Sequence, residues 1–97
     1  MARYDVYQFN GGYVVDLQCD FVTIPGSRVV APIIPGEDVP ETVRGLHPRI
    51  EFLDQPLILA THLLAATPVA AMTGPVGNCR AYADDITRAL NLLFIGY

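Results

Sequence analysis

The chain has 97 residues, of which 52% are hydrophobic and only 16% charged, and its formal net charge is −4. That length suits one domain over 1–97 with little margin in its core. The charged fraction lies well below the roughly 25% of average soluble chains, so a buried partner interface, most simply a homodimer, is expected. Six scattered Lys plus Arg in an acidic chain argue against direct nucleic-acid binding, since grip on a phosphate backbone takes several cations per site.

From the start, MARYDVYQF lacks the long apolar region of a signal peptide, so none is expected. RYDVYQF (3–9) is rich in Tyr and Val and reads as a strand. NGG (10–12) marks a tight hairpin, because Asn and Gly tolerate positive φ. YVVDLQCDF (13–21) alternates with period two. Val15, Leu17, Cys19 and Phe21 share one face of the predicted strand, and Asp16, Gln18 and Asp20 share the other, which is expected to face solvent. TIPGS (23–27) carries Pro-Gly as in a type II turn. RVVAPII (28–34) is the next strand, and Pro32 places it at an edge or a bulge, since it has no N–H to donate.

PGEDVPETVRGLHP (35–48) is a polar connection with room for a helical turn. RIEFL (49–53) and PLILATHL (56–63) form a hairpin turning at Asp54-Gln55. TPVAAMTG (67–74) is a further strand. The apolar tract LILATHLLAATPVAAM (57–72) falls short of the roughly 20 residues of a membrane helix and is expected in the core, with no membrane role. Over 79–95 the period changes to that of a helix, with Asn78 as N-cap. At about 100° per residue, Tyr82, Ile86, Ala89, Leu90 and Leu93 cluster on one face and Asp84, Arg88 and Asn91 on the opposite one. Gly96 fits the position just past the helix. Ile95 falls on the polar face, beside Asn91 and Arg88. Local packing of the last turn and a recognition tip both account for it.

Signatures of catalysis are thin. Cys19 and Cys79 make no zinc pattern and read as reduced structural thiols of a cytoplasmic protein. His47 precedes Pro48, and His62 sits in an apolar run, where a hydrogen-bonded core residue is the expectation. No phosphate loop, nucleophile elbow or ligand-spaced His pair is visible, so neither cofactor nor metal is expected. Thr23, Ser27 and Arg28 surround one turn. A small ribonuclease uses an arginine and a hydroxyl in such a loop to stabilise charge on phosphate, but no basic groove accompanies them.

Two segments, VDLQCDFVTIPGSRVVAPI (15–33) and LNLLFIGY (90–97), resemble CcdB, the toxin family of CcdA–CcdB toxin–antitoxin systems. HPRIEFLDQPLILATHLLAATPV (47–69) is similar in spacing and in its Pro and Thr positions. The resemblance covers nearly the whole chain and rests most on Val15-Asp16, Gln18, Asp20, Pro25-Gly26, Arg28, Pro32, Asn91-Leu92, Phe94 and Gly96. It implies a mainly β fold with a C-terminal α-helix, a small twisted antiparallel sheet of the SH3-like barrel type shared by CcdB and MazF. It also implies a homodimer without enzymatic activity that binds the A subunit of DNA gyrase and traps the gyrase–DNA cleavage complex. A CcdA-like antitoxin neutralises it, and the two together repress their operon. Carried over by position, the gyrase-contacting residues are Phe21, Val22, Asn91, Ile95, Gly96 and Tyr97. Asn91 and Gly96 match the family. Phe21 and Val22 replace two isoleucines, Tyr97 replaces an isoleucine, and Ile95 replaces a tryptophan. An endoribonuclease of the MazF or Kid kind, through Thr23, Ser27 and Arg28, is the rival reading. A non-poisoning relative that only binds antitoxin and serves operon autoregulation is a third.

Overall fold

The computed structural model describes residues 1–39 and 41–97. Among the described residues seven strands, β1 (Asp5–Phe9), β2 (Gly12–Asp16), β3 (Ser27–Pro35), β4 (Arg49–Phe52), β5 (Gln55–Leu59), β6 (Ala65–Pro68) and β7 (Thr73–Asn78), precede one α-helix, α1 (Ala83–Phe94). The sheet runs β4-β5-β3-β2-β1-β7, with β6 also on β3. Among the described residues every pairing is antiparallel. The sheet curls into a half-barrel against which α1 packs, so the fold is the mainly β one expected.

The Asn10-Gly11 hairpin forms as predicted, with φ of 50° and 76°, the geometry of a type I′ turn. Gly26, at φ 83°, supplies the positive φ that a type II turn requires. The second hairpin turns one residue earlier than expected. Leu53 and Asp54, at φ 51° and 59°, form its corner, and Gln55 already pairs with Phe52.

Three other expectations are corrected. β2 stops at Asp16, so 17–21 is not strand; Leu17 N–H still donates to the Val29 carbonyl, and beyond it Gln18 is held to β3 by its side chain and by Arg28. Pro32 lies in β3, which is flanked by partners on both sides. Its carbonyl accepts Ala60 N–H at 2.9 Å, so its donor-less nitrogen faces the gap where β3 exchanges β6 for β5, and no ladder bond is lost. The predicted strand 67–74 is broken by a 3₁₀ turn at Val69–Ala71, which separates β6 from β7. The connection over 35–48 does contain a helical turn, the 3₁₀ segment Gly36–Asp38; Pro40, within that connection, lies outside the described residues.

The main core lies between the concave sheet and α1. Val6 from β1, Val15 from β2, Ala31 and Ile33 from β3, Ile50 and Phe52 from β4, Leu59 from β5 and Ile86 from α1 meet there. The helix wheel is accurate at its centre: Ile86 and Ala89 are fully buried. The helix starts later than predicted, because Cys79 leads into a 3₁₀ turn at Arg80–Tyr82. Asn78 accepts Arg80 N–H at 3.1 Å where the chain enters that turn, and the position before α1 is Tyr82, so Asn78 does not cap α1. Asp84 and Asp85 in the first turn of α1 suit the positive end of its dipole. Gly96, at φ 93°, donates to the carbonyls of Asn91 and Leu92, which closes the helix as predicted.

The opposite sheet face is not solvated. Tyr7, Val14 and Val30 form a second buried cluster there, with Phe9 and Met72 against it. The apolar tract 57–72 is split between inside and outside. Leu57 to Thr61 are buried, whereas His62, Leu63, Ala65 and Ala66 are exposed in the single chain.

Candidate functional site

The loop after β2 is built on a polar frame. Asp16, expected on a solvated face, is instead fully buried, and Arg28 is 7% exposed. The Arg28 Nε and Nη2 atoms each reach Asp16 Oδ2 at 2.8 Å. Asp16 Oδ1 accepts Gln18 N–H at 3.0 Å. Arg28 also donates to the Gln18 carbonyl at 3.2 Å, and Asp20 stands 3.7 Å from it. Gln18 spans the loop with both ends of its amide: Nε2 donates to the Val22 carbonyl at 2.7 Å and Oε1 accepts Val29 N–H at 3.1 Å. Asp20 accepts Arg3 N–H at 2.8 Å. Between these fixed points Phe21 projects outward and is 96% exposed. Val22 and Ile24 are exposed beside it.

The end of α1 is the second apolar projection. Ile95 is 58% exposed and Tyr97 88% exposed, and Asn91 and Gly96 are exposed as well. Phe94, absent from the predicted site residues, is 69% exposed; it follows Leu93 at the margin of the apolar face, where the wheel is ambiguous. Among the described residues no hydrogen bond or ion pair joins the Phe21–Val22 loop to the Asn91–Tyr97 end. The six predicted residues are alike in exposure, and they come from two segments of the chain, the loop after β2 and the end of α1.

The candidate ribonuclease triad does not assemble into a reactive group. Arg28 is committed to Asp16, and Ser27 sits in β3 opposite Pro68. Cys19 is exposed, contrary to the structural role expected from its place in the alternation. Cys79 is buried, and burial pushes its thiol up to about 11, which suppresses thiolate chemistry.

Sequence reasoning misses one arrangement altogether. His47 and His62, fifteen residues apart, meet with Nε2 of the first 2.8 Å from Nδ1 of the second. Val43 N–H donates to His47 Nδ1 at 2.9 Å. That leaves the proton of a neutral His47 on Nε2, where it donates to His62. Far from being a core residue, His62 is exposed. Burial, and then the neighbouring His62, lower the pKa of His47 below its usual value. No spacing rule in one dimension marks such a pair. Among the described residues no group of three or more His, Cys, Asp or Glu is arranged to hold a metal.

The buried Asp16–Arg28 frame, the Gln18 brace, the Pro25-Gly26 turn and the Gly96 helix closure are the same residues on which the resemblance to CcdB rests. The family model described as CcdB protein matches residues 3–96. The chain belongs to the CcdB family, toxins of toxin–antitoxin systems.

Proposed function

We propose that this toxin acts as a homodimer in the cytoplasm, binds the A subunit of DNA gyrase and traps the gyrase–DNA cleavage complex, without catalysis of its own. A CcdA-like antitoxin neutralises it. The observation that carries the reading is the end of α1. There a glycine-closed helix leaves Ile95 and Tyr97 exposed side by side with Phe94. Exposed apolar and aromatic anchors beside polar groups are what a protein-binding hot spot requires. The low charge of the chain and the exposed Leu63, Ala65 and Ala66 favour a second protomer as cover.

Ile95 stands where relatives place tryptophan. Loss of that ring removes about 2 kcal/mol or more of contact energy, the scale of a hot-spot truncation. Tyr97 restores aromatic area two residues further on. The endoribonuclease reading loses its arginine to the Asp16 pair, which has no free guanidinium to offer a phosphate.

Expression in a sensitive host tests the proposal. Growth arrest with accumulation of cleaved DNA in covalent complex with gyrase supports it. Growth arrest with intact DNA and degraded RNA overturns it in favour of RNA cleavage. Absence of toxicity, with retained binding to the antitoxin, overturns it in favour of a non-poisoning relative.

A further inference from the structure

The cations of the chain are all arginines, six of them, without a single lysine. Three lie elsewhere on the fold: Arg28 is paired with Asp16, Arg80 with Asp5 at 3.5 Å, and Arg3 lies over the ring of Tyr4 at 4.9 Å. The other three, Arg44, Arg49 and Arg88, line one cleft of about 430 Å³. They reach it from three different elements, the 35–48 connection, β4 and α1. Among the described residues neither Arg44 nor Arg49 has an acidic side chain within ion-pair distance. Asp85 is the one carboxylate in the lining, 3.3 Å from Arg88. With His47 neutral, the cleft holds two positive charges in excess, on a protein whose net charge is −4.

Like-charged guanidinium groups repel, so their convergence in an acidic chain is unfavourable unless an anion joins them. The planar fork of arginine fits tetrahedral oxyanions through paired N–H donors. The wall bearing Arg44 is also held in place: Leu46 and His47 N–H both donate to the Val43 carbonyl, and the His47–His62 contact ties the segment to Thr61–Leu63. A preformed wall lowers the cost of ordering on binding.

We propose that the cleft between the 42–49 segment and α1 is a binding site for a small phosphate-bearing ligand, held by Arg44, Arg49 and Arg88. Asp85 orients Arg88 and competes with the ligand for it. This site is separate from the apolar end of the helix and does not depend on the gyrase reading.

Titration of the folded protein with inorganic phosphate at constant ionic strength, followed by amide NMR shifts, tests it. The expected result is saturable shifts confined to Thr42–Arg49 and the first two turns of α1. Arg44→Ala and Arg49→Ala each weaken binding roughly threefold to tenfold, the range for a charge-assisted contact near the surface. Both side chains are exposed, so the fold is kept. Asp85→Asn strengthens binding. Acetate, a flat monoanion, binds more weakly than phosphate. Shifts that are linear in phosphate, or that persist unchanged in the two arginine variants, overturn the proposal. So does tighter retention of a short DNA duplex through the same arginines, which assigns the cleft to nucleic acid.

Discussion

Removal of the Arg28 side chain gives the sharpest test of how the loop is held. Asp16 is 0% exposed, and Arg28 approaches its carboxylate through two nitrogens, both at 2.8 Å. Arg28→Ala leaves a buried carboxylate with Gln18 N–H as its remaining partner. A buried pair broken on one side costs about 3–5 kcal/mol. That is a large share of the roughly 5–15 kcal/mol of a small domain, and at about 4–8 °C per kcal/mol it lowers the melting temperature by more than 10 °C. Replacement of both partners, Asp16→Leu with Arg28→Met, removes the charge that needs compensation and should recover more than half of the loss. Urea denaturation of the two single variants and the double variant measures the coupling. Single-variant losses below about 1 kcal/mol refute a buried, mutually dependent pair, since that is the worth of a solvent-exposed one. The same loss should loosen the loop that carries Phe21, because Arg28 donates to the Gln18 carbonyl and Gln18 in turn holds Val22.

Four further outcomes are expected. Gly77→Ala sets a Cβ 2.6 Å from Phe52 Cε1, inside the packed core, and should cost about 1–3 kcal/mol in denaturant melts. Leu53→Asn with Asp54→Gly relieves two positive-φ positions and should stabilise the hairpin by about 1 kcal/mol. His47 has a lowered pKa in the folded protein, so the unfolded chain binds the proton more tightly. Its contribution is complete above its ordinary pKa near 6.5 and is lost as pH falls through the lower folded value. The melting temperature should therefore drop on acidification below about 6.5, less steeply in His47→Gln. Thiol reagents should modify Cys19 alone in the native protein and both cysteines in denaturant, as Cys79 is buried with its thiol raised to about 11.

The features legible in the sequence are those governed by local chemistry. Asn10-Gly11 and Pro25-Gly26 have few conformational alternatives, and the Ile86–Ala89–Leu90 stripe needs only the helical period. Misreadings arise where contacts distant in sequence override the local pattern. Asp16 obeys the alternation of β2, but the second sheet face is covered, and the residue that rationalises its burial is twelve positions away. Pro32 signals only that no ladder partner faces its missing donor; an edge provides that, and here so does the exchange of β6 for β5 along β3. The largely exposed 62–66 stretch is nearly as apolar as the buried 57–61 stretch, and only the fold separates them. The His47–His62 contact has no periodic signature. At the helix end, the wheel marks Ile95 correctly because exposure of an apolar residue on a polar face survives without tertiary information.

The affinity of the purified protein for the gyrase A subunit of its own host, compared with that of Ile95→Ala and Tyr97→Ala variants, tests the role of the helix end most directly. Saturable binding is expected, with each truncation weakening it about thirtyfold, the equivalent of about 2 kcal/mol. The melting temperature should be unchanged, since both side chains already lie in solvent. Binding that is absent, or that is indifferent to both substitutions, contradicts the assignment of the helix end as the surface that grips gyrase.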